Sequence, residues 1–325
     1  MKIVFFTHLT IEFPHMISHL ADQYRGCQFI FARTKKEYKE ALPGSHVLVT
    51  GNPSSEDIEA AENLKLIIVP YAGVSQLDFS LLHKKGICLA NSHGNAPVVA
   101  ERAVALALAC CGRVVEFHND QKKGNWHRTG YHHKPFDYWF SMVGKNISIL
   151  GTGAVGQNIA ALLTGFNCQV KGFRRKRGVL PKHFDSVTSD LEEALNFGDI
   201  IFMALPITDE TRGILSNDNI SLLEGKFLIN VGRGDLIEEK PFFEALKSRQ
   251  LRGAGIDAWY DYPSKENPGA TGSKLPFCDL KNVVISPHAA SHTPEGKMGQ
   301  LSGALEVIEA YVKDGIIINE ISGDY

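Results

Sequence analysis

At 325 residues, with 44% hydrophobic and 22% charged side chains and no low-complexity tract, the chain is long for one domain and natural for two. A formal net charge of −2 excludes the global field that would draw a protein to nucleic acid or an acidic membrane. No run of about 18 apolar residues occurs and the apolar start of MKIVFF is too short for a signal peptide, so a soluble cytoplasmic protein is expected.

In chain order, KIVFF (2–6), CQFIFA (27–32), HVLVTG (46–51), LKLIIVP (64–70) and GICLAN (86–91) read as buried strands. Residues Pro97–Phe117 are apolar at helical spacing and predict one helix bridging two domains. GNWHRTGYHHKPFDYW (124–139) breaks the pattern and predicts a loop or arm. Its Trp126, Tyr131, Tyr138 and Trp139 are expected to serve packing or subunit contact, with His127, His132 and His133 on a polar surface. A second strand series follows: NISILG (146–151), CQVKGF (168–173), DIIFMAL (199–205), KFLINV (226–231), GAGIDAW (253–259) and NVVIS (282–286). A last helix, roughly Glu295–Lys313, is expected to return to the first domain. Continuous apolar strands alternating with helices imply parallel sheets covered on both faces, an α/β fold of two doubly wound domains. The six cysteines, at 27, 88, 110, 111, 168 and 278, have no CxxC pair and predict buried free thiols.

ILGTGAVGQNIAALL (149–163) places Gly151, Gly153 and Gly156 in a G-x-G-x-x-G frame, directly after a strand and opening an amphipathic helix. Gly151 allows a tight turn, Gly153 close approach of a pyrophosphate, and Gly156 close helix–strand packing. The helix start at Ala154 and Val155 then offers free N–H groups to phosphate. An NAD site would carry an acidic residue about 20 positions on, at the end of the next strand. That position holds Arg174, the first residue of RRKR (174–177). Guanidinium groups bind a 2′-phosphate where a carboxylate would repel it, so Arg174 and Arg175, with Lys176 beside them, predict NADP(H) in preference to NAD(H).

Three later stretches offer chemistry at strand ends: Arg233 in NVGRGD, Asp257 in GIDAWYDYP, and His288 in ISPHAASHTPEG. His288 and His292 lack the arrangement of a zinc helix, and no metal site is predicted. The glycine turn, ALPITDET (204–211), NVGRGDLIEE (230–239), GAGIDAW (253–259) and SPHAASHTPE (286–295) together resemble the D-isomer-specific 2-hydroxyacid dehydrogenase family. YAGVSQLD (71–78) and NSHGNAPVVAE (91–101) resemble its substrate loop and domain-crossing helix, so the likeness covers about residues 64–300.

The resemblance implies a Rossmann domain (95–291) inserted into a flavodoxin-like substrate domain (1–94 and 292–325). It implies that Arg233 clamps the substrate carboxylate and carbonyl, and that His288 exchanges the proton. Asp257 would bind the nicotinamide carboxamide. Leu205, Pro206, Thr211, Val231 and Gly232 would line the cofactor, and the backbone of Ala72, Gly73, Val74 and Ser75 would hold the substrate carboxylate. A homodimer contact is also implied. The chain departs from the pattern at Tyr262, where the family commonly has a glutamate before proline that pairs with the histidine. A carboxylate stabilises imidazolium, whereas a neutral phenol offers only a hydrogen bond. Tyr262 therefore predicts a weaker acid–base pair, unless neighbouring Asp261 reaches His288. The implied activity is reduction of small 2-keto acids of the glyoxylate or hydroxypyruvate type. A formate-like small-anion dehydrogenase and a dinucleotide-sensing, corepressor-like binding protein are the alternatives.

Overall fold

The computed structural model describes residues 1–126, 138–176 and 178–321. Arg177 of the basic cluster, and His127, Tyr131, His132 and His133 of the predicted arm, lie outside them. Trp126, Tyr138 and Trp139 at the arm's ends are exposed. The chain forms two compact units, one of Met1–Ala96 with the chain from Ser291 onward, the other of Pro97–Ala290.

In the first unit, β1 (Lys2–Phe6), β2 (Gln28–Phe31), β3 (Val47–Thr50), β4 (Leu66–Val69) and β5 (Cys88–Asn91) form a parallel sheet ordered β2-β1-β3-β4-β5. Every residue of β3 (VLVT) and β4 (LIIV) is buried, because helices cover both faces and alternation has nothing to select. Leu301, Ala304, Val307 and Ile308 of helix Pro294–Asp314 join Ile3, Phe5, Val49 and Ile68 in the core of one face. Tyr38, Leu42, Ile58 and Leu82 fill the other with Val4, Leu48 and Ile67. The edge of β5 is closed by the chain's own later segment, Glu320 bridging Ala90 antiparallel and the Ile321 N–H donating to the Leu89 carbonyl.

The long helix meets the turn after β5 at bare backbone. A Cβ on Gly299 would sit 2.3 Å from the Gly94 carbonyl oxygen, and one on Gly94 1.9 Å from the Gly299 oxygen. Neither wall is a flexible side chain, so the helix itself must move to admit a methyl group. Gly299→Ala is expected to cost about 1–3 kcal/mol as overpacking, read as a lowered midpoint in urea with unchanged slope.

In the second unit, β6 (Asn146–Leu150), β7 (Gln169–Phe173), β8 (Ser186–Thr188), β9 (Ile200–Met203), β10 (Phe227–Asn230), β11 (Gly253–Ile256) and β12 (Val283–Ile285) form a parallel sheet ordered β12-β11-β10-β9-β6-β7-β8. This is a doubly wound sheet whose order reverses between β6 and β9, the point where such folds open a crevice at their carboxyl ends. β8 escapes the sequence reading because SVT is a three-residue edge strand with no fully buried residue.

The single helix expected over Pro97–Phe117 is two, Ala96–Cys111 and Val114–Lys122. They break at Gly112–Arg113, with Arg113 left-handed at φ +52° and its guanidinium paired to Glu116 at 2.8 Å. A second correction concerns the cysteines. All six are free, but only Cys110 and Cys111 are buried and Cys278 is exposed. In the turn Phe277–Asp279 it is Phe277 that takes the core position, which turns Cys278 outward. Among the described residues no helix is long and apolar enough to cross a membrane.

Candidate active site

Parallel strands place every carboxyl end on one edge of the second sheet. Gly151 follows β6, Arg174 β7, Leu205 β9, Arg233 β10, Asp257 β11 and His288 β12. Gly151 adopts φ +108°, and a Cβ there would lie 2.6 Å from the Ala204 carbonyl oxygen. A Cβ on Gly156 would lie 1.9 Å from the Gly151 oxygen, so the helix start is pressed onto the turn. A Cβ on Gly153 would meet nothing within 4 Å. The backbone there is open to an approaching group. Helix Ala154–Leu163 has Gly153 at its N-cap and no side-chain cap, which leaves the first N–H groups, those of Ala154 and Val155 among them, with the positive end of the dipole. This cradle fits a pyrophosphate.

Arg174 stands directly past β7, its amide bonded to the Thr188 carbonyl of β8. One guanidinium nitrogen donates to the Val179 carbonyl at 2.9 Å, while Nε is buried without a hydrogen-bond partner among the described residues. Arg175 is already paired with Glu210 at 2.9 Å, and Lys176 is exposed. The β9 loop is pinned by hydroxyls: Thr211 Oγ1 donates to the Pro206 carbonyl and accepts from the Thr208 amide, both at 2.8 Å. Leu205 packs against the core, so the loop keeps one shape.

After β10, buried Asn230 holds the next turn at both ends. Its Nδ2 donates to the Arg233 carbonyl at 2.9 Å and its Oδ1 accepts from the Gly232 amide at 3.0 Å. The Val231 amide bonds to the Met203 carbonyl of β9. Glycines flank Arg233 because the neighbours leave no room: a Cβ on Gly232 would lie 2.9 Å from the Leu205 oxygen, and one on Gly234 2.1 Å from the Trp259 oxygen. Arg233 is half-buried, with Nη1 on the Gly232 carbonyl at 2.8 Å and no carboxylate partner among the described residues. The sequence reading missed Asn230, although a polar residue closing an apolar strand was its signal.

His288 sits in the left-handed region at φ +56°. Its Nδ1 lies 3.3 Å from the Asp257 main-chain carbonyl oxygen and 3.4 Å from the Tyr262 hydroxyl. The two rings meet edge to face, with centroids 5.0 Å apart. The Tyr262 oxygen also accepts the Trp259 amide at 2.9 Å. Burial pushes the phenol above its ordinary pKa, outweighing the Trp259 amide bond and the Arg233 charge that pull it down, so it is neutral at physiological pH. Asp261 bonds instead to Asn267 at 3.1 Å. Tyr262 is therefore the residue that meets His288. Asp257 is buried and accepts three hydrogen bonds, from the Ser286 hydroxyl and the Ala289 and Ala290 amides. Ser286 is another residue that the sequence reading passed over.

Loop Ala72–Ser75 follows β4 in the first unit. Buried Asn91 donates to the Ala72 carbonyl at 2.8 Å, Gln76 donates to the Gly51 carbonyl at 3.1 Å, and Val74 is buried as the loop's anchor.

Residues 104–290, more than half the chain, match the sequence profile described as "D-isomer specific 2-hydroxyacid dehydrogenase, NAD binding domain". The chain belongs to the D-isomer specific 2-hydroxyacid dehydrogenase family. This is a family of oxidoreductases acting on CH–OH donors. The chain is 28% identical over 299 residues to D-3-phosphoglycerate dehydrogenase of Methanocaldococcus jannaschii, a match covering 89% of this chain but only 54% of that protein. It is 29% identical over 284 residues to glyoxylate reductase of Thermococcus litoralis, covering 85% of this chain and 82% of the relative. A crystal structure of a Pyrococcus horikoshii protein superposes with a TM-score of 0.82 at 25% identity, over 99% of this chain and 95% of that one. The two parallel-sheet domains match in fold those of solved 2-hydroxyacid dehydrogenases such as D-2-hydroxyisocaproate dehydrogenase, with a TM-score of 0.77 at 23% identity over 99% of this chain and 100% of that one.

Proposed function

We propose that this family member is an NADPH-preferring reductase of small 2-keto acids of glyoxylate or hydroxypyruvate size, interconverting them with D-2-hydroxy acids. The observation that carries the reading is the gathering of Arg233, Tyr262 and His288 past β10, β11 and β12, on the sheet edge that also bears the glycine turn of β6. A bound nicotinamide cofactor supplies the hydride. Arg233 takes the substrate carboxylate on its forked guanidinium and polarises the adjacent carbonyl. His288, with Nδ1 engaged inside the protein, presents Nε2 to the carbonyl oxygen. As imidazolium it gives that oxygen a proton as hydride arrives, and in the reverse direction it takes the proton back. The resemblance adds the amides of Gly73, Val74 and Ser75 as carboxylate donors, the cofactor contacts of Leu205, Pro206, Thr211, Val231 and Gly232, and a cytoplasmic homodimer.

Oxidation of NADPH, with NADH in parallel, against glyoxylate, hydroxypyruvate, pyruvate and longer 2-keto acids tests the reading. Turnover with NADPH favoured is the expected result. Tyr262 supports one second reading, a dehydrogenase of formate, whose oxidation releases no hydroxyl proton and needs no strong base. Formate turnover without 2-keto acid reduction would select it.

Tyr262 itself is testable. Tyr262→Phe removes the neutral hydrogen bond to the histidine and the acceptor of the Trp259 amide, and is expected to lower kcat/KM only about fivefold. Tyr262→Glu places a carboxylate at Nδ1 and is expected to extend keto-acid reduction to higher pH, because the anion favours imidazolium. A pH profile identical to that of the unaltered enzyme would show that position 262 does not govern the proton.

A further inference from the structure

We infer that Trp259 is a positioning residue of this site, its indole N–H fixing the turn that presents His288 while its main chain holds Tyr262 and seats the Arg233 loop. The inference rests on the reading of Arg233, Tyr262 and His288 as the groups that bind the acid and exchange its proton.

Trp259 stands just past β11 and is only 8% exposed. An indole has a single polar group, an N–H donor, which finds a partner when the ring is buried. Here Nε1 donates to the Ser286 main-chain carbonyl at 2.7 Å. The same oxygen accepts the His288 amide at 3.0 Å, across Pro287. Both acceptor positions of that carbonyl are thereby filled, one by the histidine's own backbone and one by the indole. His288 lies at φ +56°, a conformation that a non-glycine residue keeps only where its surroundings enforce it. The indole contributes by anchoring the oxygen on which the histidine amide hangs.

The remaining contacts of Trp259 reach the other two groups. Its amide donates to the Tyr262 hydroxyl at 2.9 Å, and that oxygen lies 3.4 Å from His288 Nδ1. Its carbonyl oxygen is the wall behind Arg233, 2.1 Å from where a Cβ on Gly234 would stand. Its ring lies beneath Gly272, where a Cβ would come within 2.7 Å of the indole. The Gly272 carbonyl accepts the Tyr260 and Asp261 amides, both at 3.0 Å, and so closes the loop that bears Tyr262. The far side of the ring packs in the core, with Phe277 edge-on at 6.1 Å. A phenyl ring would serve that core position, but only an indole carries the N–H that reaches Ser286.

Trp259→Phe tests the assignment, since it keeps an aromatic ring and every main-chain contact while removing the indole N–H. Misplacing His288 by about 1 Å is enough for a hundredfold loss. The expected result is a fall in kcat of about tenfold to a hundredfold, counted per NADPH-binding site so that unfolded protein does not contribute. The Arg233 loop rests on the main chain of Trp259, so KM for the keto acid and the NADPH dissociation constant should change less than about threefold. Replacing Trp259 by 3-benzothienylalanine, its isostere with sulfur in place of N–H, should give a fall of similar size. Full activity in the isostere would show that residue 259 acts by packing alone, and would overturn the inference.

A second readout needs no substrate. The imidazole of His288 meets the Tyr262 ring edge to face, with centroids 5.0 Å apart, so the aromatic ring current displaces its proton resonances. The Cε1–H resonance of His288, identified as the one missing in His288→Asn, should move toward that of an unstacked imidazole in both Trp259 variants. If no 2-keto acid is turned over and the proposed activity fails, this displacement still tests the support of the histidine. A resonance unchanged in both variants would sink the inference whatever the kinetics.

Discussion

Arg233→Ala is expected to lower kcat/KM for every accepted 2-keto acid by about 10³, while leaving the dissociation constant for NADPH within about threefold. Arg233 is half-buried, has glycine on either side, and among the described residues no protein carboxylate neutralises it. On the proposed reading this guanidinium receives the substrate carboxylate. Two charge-assisted hydrogen bonds at about 1.5–3 kcal/mol each amount to roughly 10²–10⁴ in affinity for the bound carboxylate. The polarised carbonyl gains further as negative charge develops on its oxygen, so the loss should fall on kcat as well as KM. Arg233→Lys keeps the charge without the fork and should recover only part of the activity. Steady-state kinetics with a fluorescence titration of NADPH would decide. Turnover undiminished in the alanine variant would remove Arg233 from the clamp. Tight NADPH binding with no turnover of any acid, even in the unaltered chain, would favour a dinucleotide-sensing binding protein.

Much of this was legible before any coordinates. Buried parallel strands announce themselves as continuous apolar runs, so LIIV, NISIL, IIFM and FLIN stood out from their polar surroundings. The glycine turn was legible because its backbone geometry demands glycine at Gly151 and Gly156, where a Cβ would strike main-chain oxygen. β8 was not legible, since the three residues of an edge strand bury too little to pattern the sequence. Nor was the break at Gly112–Arg113, because an arginine in the left-handed region leaves no compositional trace and is held there by its neighbours. The hidden part of the site is of one kind. Asn230, Asn91 and Ser286 act through hydrogen bonds to backbone or to a partner brought near only by folding, such as the Ser286–Asp257 pair from adjacent strands. Residue types reveal which groups can do chemistry, while the groups that aim them are ordinary asparagines and serines whose importance lies in where the sheet puts them.

If NADPH is preferred as proposed, cofactor choice gives the second large effect, expected to fall unequally on two arginines. Arg174→Asp combined with Arg175→Ser is expected to shift the ratio of kcat/KM for NADPH over NADH by about 10³ toward NADH. Loss of two charge-assisted contacts to a 2′-phosphate accounts for roughly 10²–10⁴ of the shift. The new carboxylate adds repulsion toward the phosphate and an acceptor for the ribose 2′-hydroxyl. Most of the change should follow Arg174, which stands at the strand end with Nε buried and unpartnered among the described residues. Arg175 already faces Glu210 at 2.9 Å, an exposed pair of the sort worth about 0–1 kcal/mol. Arg175→Ser alone should therefore move the ratio by less than about tenfold. Glu210→Gln, which breaks the ion pair with Arg175 and removes a negative charge beside the basic cluster, should favour NADPH a few-fold, more at low ionic strength than at high. Measuring both cofactors across the unaltered chain and these three variants separates the contributions. An unchanged ratio in the double variant would mean that RRKR is a solvated surface cluster, and that the cofactor is chosen elsewhere on the sheet edge.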